Sequence, residues 1–334
     1  MDAVRRIADA VLYEGYVLWP YRASALKNQR RWTFGGVYPR AHSEGRDDDP
    51  WLMRTQCLVE GDEETTVDVG VRFLHVVARE VAEQTPDGLR PVAELRVGDE
   101  RHLAWDEARE REIAAPGLRV AGLAVHQRVA VGIGAGREEE ELRHASGARA
   151  GVLVRSWEPL EGALDASAER LADGLFRLTV TITNTSPWDG GPREEALRRT
   201  FCSAHTVLHV RGGAFVSSTD PPPALREAVD ACRNEGTWPV LVGEPGERHT
   251  VLSSPIILED HPRIAPESPG DLFDGGEVDQ LLTLSILAMT DEEKADMRDA
   301  DPRTREILER TEALTGEQLM ALHGAIREFG LERP

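Results

Sequence analysis

The pattern of hydrophobic and polar residues changes twice along the chain, near residue 50 and again near residue 258. Apolar residues recur at helical spacing over residues 3–13, which predicts a short N-terminal helix. From Trp51 to about Ile257 they form strand-length runs rich in Val, Thr and Leu, many of them alternating and bounded by Gly, Pro or Asn. We therefore predict that this central part is mainly antiparallel β structure.

The clearest of these runs is FRLTVTITN. Its apolar residues fall on one face of a strand, with Arg and Thr on the other: Phe176, Leu178, Val180 and Ile182. One apolar and one polar face are typical of a sandwich or barrel with one solvated side. One helix is predicted within the β region, in PPPALREAVDACRNEG, where the prolines can begin it and Gly236 can end it.

Beyond Leu258 the pattern changes again. A Pro/Gly-rich acidic connector leads into segments of helical spacing, in which Thr290 with Glu293, and Thr315 with Gln318, have the spacing of capping boxes. The whole pattern predicts an α+β chain with a sandwich-like, mainly antiparallel core and a helical C-terminal extension. Three parts are expected: residues 1–50, a β domain over 51–258 with one inserted helix, and a connector with helices over 259–334.

Composition restricts the setting of the protein. A net charge of −20 argues against a general nucleic-acid or anionic-membrane binder, because such binding needs cations clustered over a wide face. There is no apolar run of about 18 residues and no secretory h-region, so neither a membrane span nor export is expected. Three scattered cysteines do not make a disulfide framework, which favours the reducing cytoplasm.

An aromatic and basic segment near the start of the chain, residues 13–40, is called the N-terminal strip below. It holds all four tyrosines of the protein, together with Trp19, Trp32 and Phe34. The side chains expected to bind a protein partner are Tyr13, Tyr16, Trp19, Tyr21, Arg22, Arg30, Arg31, Trp32, Phe34 and Tyr38. Tyr, Trp and Arg dominate binding hot spots because they bury a large area and still offer directional polar groups. Docking of this strip onto the acidic tail within the same molecule is the alternative.

The segment FCSAHTVLHV contains the best candidate for a metal site, formed by Cys202, His205 and His209. On a regular strand, Cys202 would point away from the face that His205 and His209 share, so a bulge would be needed to bring all three together. The β-branched residues of the segment favour a strand. The alternative is a strand with locally hydrogen-bonded histidines and a cysteine that fills the core. A transition metal is the cofactor that this segment would bind.

The GIGAG segment, Gly132–Gly136, follows a predicted strand but lacks the glycine spacing of a dinucleotide-binding fingerprint. It runs into four glutamates, Glu138–Glu141, which would repel a pyrophosphate. A turn followed by a solvated acidic stretch is predicted.

Two tracts, SALKNQRRWTFGGVYPRAHSE and SSPIILEDHPRIAPESPGDLFDGGEVDQLLTLSILAMTDEEKADMR, resemble an uncharacterised, mainly actinobacterial protein family that is often encoded beside NiFe-hydrogenase structural and maturation genes. The resemblance implies a role in hydrogenase assembly and carries no catalytic residues.

Three functions are considered. The first is a cytoplasmic accessory or assembly protein that binds a hydrogenase subunit or maturation factor through the N-terminal strip. The second is a metal carrier or metal-dependent enzyme that uses the Cys202 segment, and the third is a structural subunit that forms homo-oligomers. No catalytic residues are predicted, and the sequence leaves the question of an enzyme open.

Overall fold

The computed structural model describes residues 2–14, 35–262 and, within 289–313, residues 289–291, 294, 295, 298, 305, 308, 309 and 311–313. The helices bounded there are α1 (Asp2–Glu14), α2 (Arg40–Ser43), α3 (Arg193–Leu197) and α4 (Arg226–Asp230), with 3₁₀ turns at Ala121–Ala124 and Pro223–Leu225. The strands are β1 (Leu52–Thr85), β2 (Gly88–Val92), β3 (Glu94–Val97), β4 (Glu100–Leu103), β5 (Trp105–Arg119), β6 (Gln127–Ile133), β7 (Gly136–Arg143), β8 (Arg149–Trp157), β9 (Leu160–Ala172), β10 (Leu175–Asn184), β11 (Cys202–Phe215), β12 (Trp238–Leu241) and β13 (Thr250–Ser254).

Strand β1 is the centre of the architecture. Its first part pairs with β10, its middle pairs with β11 and β5, and its last part pairs with β8 and β2. The register against β11 shifts between Gly61 and Thr66, where the strand changes partners. The runs LMRTQCLVEG and TTVDVGVRFLHVVARE, each of strand length in the sequence, are therefore parts of one continuous strand.

Eleven of the described strands form one sheet, in which the order β12-β13-β11-β1-β10-β9-β6 is the main path. Each pairing between described strands is antiparallel. Side chains from both halves of β1 meet those of β6, β9, β10, β11 and β13 in one hydrophobic core. The predicted α+β chain with a mainly antiparallel β core is confirmed.

The structure contains the local elements that the sequence pattern predicts most clearly. Strand β10 buries alternate residues from Phe176 to Asn184, including all four that were predicted to face the core. Helix α1 spans the predicted N-terminal helix. The helix predicted after the prolines is present but short, since α4 covers only Arg226–Asp230 after a 3₁₀ turn.

Helix α1 covers the outer face of the sheet where β1 and β11 pair. Leu12 packs in a second hydrophobic cluster, whose other buried members are Tyr38, Leu74, Val76, Ala196, Leu197 and Cys202. Arg72 of β1, 9% exposed, donates a hydrogen bond to Asp9 of α1 at 2.6 Å. The helix is thus attached to the sheet by apolar packing and by an ion pair.

The chain forms two compact units, residues 1–18 with 30–262 and residues 19–29 with 263–334. In the second unit, Lys294 N–H donates to the Thr290 carbonyl at 2.9 Å, so a helical turn begins at the predicted capping residue. Glu312 forms ion pairs with Lys294 and Arg298. The other C-terminal helical segments and the second capping box lie wholly or partly outside the described residues.

Candidate functional site at the base of the N-terminal strip

Both ends of the segment that carries most of the N-terminal strip attach to neighbouring residues of β11. The Ser203 hydroxyl donates to the carbonyl of Val11 at 3.4 Å, and Ala204 N–H donates to the carbonyl of Gly35 at 3.0 Å. Val11 lies in the last turn of α1, where carbonyls lack an intrahelical donor. Because adjacent Cα atoms are about 3.8 Å apart, Val11 and Gly35, on either side of the intervening segment, are held at one point of the β core, which we call the base of the strip.

A β-bulge in β11 creates this point. Cys202 pairs with Leu74 and His205 pairs with Arg72, so two residues of β11 oppose the single residue Phe73. Ser203, within the bulge, has φ of 51°, which is uncommon for a residue with a side chain. Bulges redirect side chains and occur next to functional sites more often than elsewhere.

Gly35 fits the base only as glycine. Its φ is 62°, and a Cβ atom there would lie 2.5 Å from the Cγ atom of Pro255. The left-handed conformation and the close approach each disfavour a larger residue. The next anchor follows two residues later, where Val37 exchanges both backbone hydrogen bonds with Phe201.

Tyr38 is buried at the base, with 1% of its surface exposed. Its ring stacks on His42 with centroids 5.2 Å apart, and its hydroxyl accepts a hydrogen bond from Arg193. The prediction that Tyr38 is a partner-contacting residue of the strip is therefore corrected, because this side chain anchors the strip to the β core instead.

The other predicted partner-binding residues lie outside the described residues: Tyr16, Trp19, Tyr21, Arg22, Arg30, Arg31, Trp32 and Phe34. Tyr13 belongs to helix α1, and its side chain is likewise not among the described ones. Their role stays a prediction.

Asp49 connects three segments at the base. Its carboxylate accepts a hydrogen bond from Nε2 of His42 at 3.0 Å and from Nε and Nη2 of Arg193 at 3.1 and 2.9 Å. Burial acts to raise the pKa of Asp49, but the hydrogen bonds from Arg193 and His42 outweigh it, so the pKa is lowered. The carboxylate stays ionised and holds the loop before β1 to the start of α3.

The His42–Asp49–Arg193 cluster resembles part of a catalytic arrangement, but His42 is 1% exposed. Its Nδ1 atom is buried and has no hydrogen-bond partner, and the edge of Trp188 covers the ring at 5.7 Å between centroids. A substrate has no access to this imidazole, so the arrangement favours structural anchoring. No sequence motif could have revealed the cluster, since Asp49 and Arg193 are 144 positions apart.

The predicted metal ligands lie on β11, beside the base. The bulge brings Cys202 and His205 to one face of the strand, but the Cys202 thiol lies against the carbonyls of Leu197 and Thr200 at 3.8 and 3.7 Å. Nδ1 of His209 instead contacts the Thr250 hydroxyl at 3.0 Å. His205 and His209 are four residues apart on a strand, about 13 Å, whereas nitrogen ligands of zinc each lie about 2 Å from the metal.

His205 is fully buried, and burial lowers its pKa to about 4. Its Nδ1 atom lies 3.3 Å from the carbonyl oxygen of Ser203. Among the described residues, no group of three or more His, Cys, Asp or Glu side chains could hold a metal ion. The structure therefore does not assemble the predicted Cys202, His205 and His209 site. The alternative interpretation of the segment fits Cys202, which fills the core, and His209, which is hydrogen-bonded locally, whereas Nε2 of His205 is buried without a hydrogen-bond partner.

None of the helices in the described part of the chain is long and apolar enough to cross a membrane. Comparison with protein-family models, with curated proteins and with solved structures finds no match to this chain. The resemblance to the family encoded beside hydrogenase genes stays a prediction.

Proposed function

We propose that the protein is an accessory or assembly protein that binds a protein partner through its N-terminal strip. The observation that carries the proposal is the base of the strip, where Val11 and Gly35 are both hydrogen-bonded to one bulge of β11. Binding residues are often placed on segments that a rigid scaffold positions. Here the scaffold is a buried β core to which both flanks of the strip are anchored.

The charge of the strip favours an acidic partner surface. Its basic side chains are Arg22, Lys27, Arg30, Arg31 and Arg40, whereas the whole chain has a net charge of −20. Opposite charge accelerates association and excludes wrong partners. A basic strip on an acidic protein therefore supports a specific acidic partner over general attraction to nucleic acid.

A subunit or maturation factor of a NiFe-hydrogenase is the partner implied by the resemblance in the two sequence tracts. Such a role fits the cytoplasmic setting that the composition favours.

The test is affinity capture from the native host followed by quantitative mass spectrometry. We compare the wild-type protein with a variant in which Arg30, Arg31 and Trp32 are all changed to alanine. Loss of a central Arg or Trp at an interface commonly costs about 2 kcal/mol or more, roughly thirty-fold in affinity. We expect hydrogenase subunits or maturation factors to be enriched with the wild type and lost with the variant, whose melting temperature stays within about 3 °C.

The matched control changes Arg5 and Arg6 to alanine, since both are exposed on helix α1 outside the strip. This control removes two positive charges and should retain the partner. Equal loss of the partner in both variants would indicate non-specific charge attraction. A large fall in melting temperature with the strip variant would assign the strip to internal packing, and capture of unrelated proteins would remove the link to hydrogenase.

A further inference from the structure

A charged face surrounds Trp157 on strands β1, β5, β7 and β8, away from the base of the strip. Most of its arginines are neutralised by glutamates. The ion pairs are Arg79–Glu107, Arg155–Glu107, Arg155–Glu140 and Arg109–Glu138, with lengths between 2.8 and 3.0 Å. Arg109 lies opposite His75 across the β1–β5 pair, and Arg111 lies opposite Phe73 at the edge of the core.

Arg111 differs from its neighbours because it has no ion pair within the described ranges. Within the described ranges, half-buried Arg111, Arg149 and Arg177 each have a buried Nε–H with no hydrogen-bond acceptor. Arg149 and Arg177 are neutralised through the guanidinium, in the pairs Arg149–Glu141 and Arg177–Glu169. Arg111 has no such ion pair, and the charge of Glu138 offsets it only from beyond ion-pair distance.

The surroundings increase the cost of this charge. Burial lowers the pKa of Arg111 and the neighbouring Arg109 lowers it further, while Glu138 acts in the opposite direction without reversing the shift. The buried His75 adds no charge, since burial lowers its pKa to about 4 and leaves the ring neutral at pH 7. A desolvated charge without a partner is unfavourable. Arg109 and Arg111 together with Glu138 give this part of the face a net charge of +1.

The ring of Trp157 is held in one position beside Arg111 by its contacts with Gly134 and Gly136. Its indole Nε1–H donates to the carbonyl of Gly134 at 3.1 Å, and its ring lies so close to Gly136 that a Cβ atom there would be 2.1 Å from Cζ2. The guanidinium of Arg109 lies 4.4 Å from the ring centroid, and that of Arg111 lies at 5.9 Å. The GIGAG segment thus holds Trp157 in place, a role that its sequence did not predict.

We propose that Arg111, beside Trp157 and Arg109, is a binding subsite for a carboxylate group. The two Nη groups of a guanidinium donate in parallel, which matches the two oxygens of a carboxylate and leaves the buried Nε–H out of the contact. The single negative charge of a carboxylate balances the net charge of +1 at this part of the face. A doubly charged phosphate would leave an excess of negative charge near Glu107, Glu138 and Glu140 of the same face.

The carboxylate can belong to a small free molecule or to an acidic side chain of a peptide. The probes are therefore sodium acetate and acetyl-glutamate amide, with sodium phosphate as the competing anion, each at constant ionic strength. The readouts are the Nε–H resonance of Arg111 and the indole N–H resonance of Trp157 in the full-length protein, measured by proton–nitrogen NMR.

We expect saturable shifts of both resonances with the two carboxylates. Changing Arg111 to Lys or to Gln should weaken the carboxylate affinity measured from the Trp157 resonance at least tenfold. The Trp157 indole N–H resonance of each ligand-free variant shows whether the face is still folded. The control is Arg177→Lys, which alters an arginine whose Nε–H is also buried but whose guanidinium is already paired with Glu169. It should leave the titration unchanged.

The relative affinity of the two carboxylates identifies the source. Tighter acetate binding supports a small free carboxylate, and tighter binding of acetyl-glutamate amide supports an acidic side chain. The proposal is overturned if neither carboxylate gives a saturable shift, if the Arg111 variants bind as the wild type does, or if phosphate binds more than tenfold tighter than acetate.

Discussion

At the residue scale, Asp49 holds together the base of the strip. It lies in the loop before β1, yet it contacts His42 and Arg193, and Arg193 in turn donates to the hydroxyl of Tyr38. A carboxylate with 6% of its side chain exposed retains its charge only because these donors compensate for burial. Asp165 provides a contrast, because it contacts His126 and Arg128, whose side chains are exposed to solvent.

Changing Asp49 to Asn keeps the size of the side chain but removes its charge. We expect the free energy of unfolding at pH 7 to fall by about 2 kcal/mol, because Arg193 and His42 lose a charged acceptor. The pKa of Asp49 is lowered in the folded state, so this contribution is complete above the unfolded-state pKa near 3.9 and is lost as pH falls through the folded value. Urea titrations at several pH values should show the difference shrinking below about pH 4.

The control for this experiment is Asp165→Asn. The side chains of its partners His126 and Arg128 are 52% and 61% exposed, so solvent screens the interaction. The expected loss is about 0–1 kcal/mol. Equal losses in the two variants would contradict the role assigned to the buried cluster.

At the element scale, the connection between the strip and β11 depends on Gly35. This residue combines a left-handed backbone with contact to Pro255, and its carbonyl accepts the hydrogen bond from Ala204. Gly45 has a similar φ of 77° but nothing within 4 Å of the position of a Cβ atom. Comparing the same substitution at the two glycines therefore distinguishes the cost of backbone strain from the cost of the steric contact with Pro255.

We expect Gly45→Ala to lower the free energy of unfolding by about 1 kcal/mol, the usual cost of a left-handed alanine. Gly35→Ala should cost at least about 1 kcal/mol more, because the added methyl group must displace the rigid ring of Pro255 or break the bond to Ala204. Chemical denaturation of both variants measures the difference. Similar losses would show that the close contact with Pro255 does not constrain the base.

At the scale of the whole molecule, the sheet contains two fully buried histidines, His75 and His205. Burial lowers the pKa of each to about 4. The unfolded chain therefore binds more protons than the folded one between about pH 6.5 and pH 4. The stability of the β core should rise with pH across this window.

We expect the free energy of unfolding to fall by about 2 kcal/mol per buried histidine when the pH is lowered from 7 to 5, because the ring is protonated in the unfolded chain but not in the folded one. Replacing either one by Gln should flatten the pH dependence by that amount, whatever its effect on stability at pH 7. The measurement is urea denaturation at both pH values, with His144→Gln, an exposed loop position, as the control. An unchanged slope in the His75 and His205 variants would contradict the expectation.

Several elements show where sequence patterns were insufficient. Strands β5 and β7 contain the runs WDEAREREIA and REEEELR, rich in residues that favour helices. No strand was predicted there. Their glutamates and arginines pair across strands, as in Arg109–Glu138 and Arg155–Glu107, and hydrogen bonding to β1 and β8 outweighs the local preference.

Sequence alone was sufficient for features that depend on neighbours along the chain. The alternation of β10 and the helical spacing of α1 each predicted the right element, because burial of one face follows from a period of two or 3.6 residues. Tertiary structure decided how distant segments combine. Pairing with β11 makes two strand-length runs one strand, β1. The bulge at Ser203 holds Val11 and Gly35 at one point, and Arg193 contacts both Asp49 and the buried Tyr38. These contacts depend on which strands pair and in which register, and no local periodicity encodes that choice.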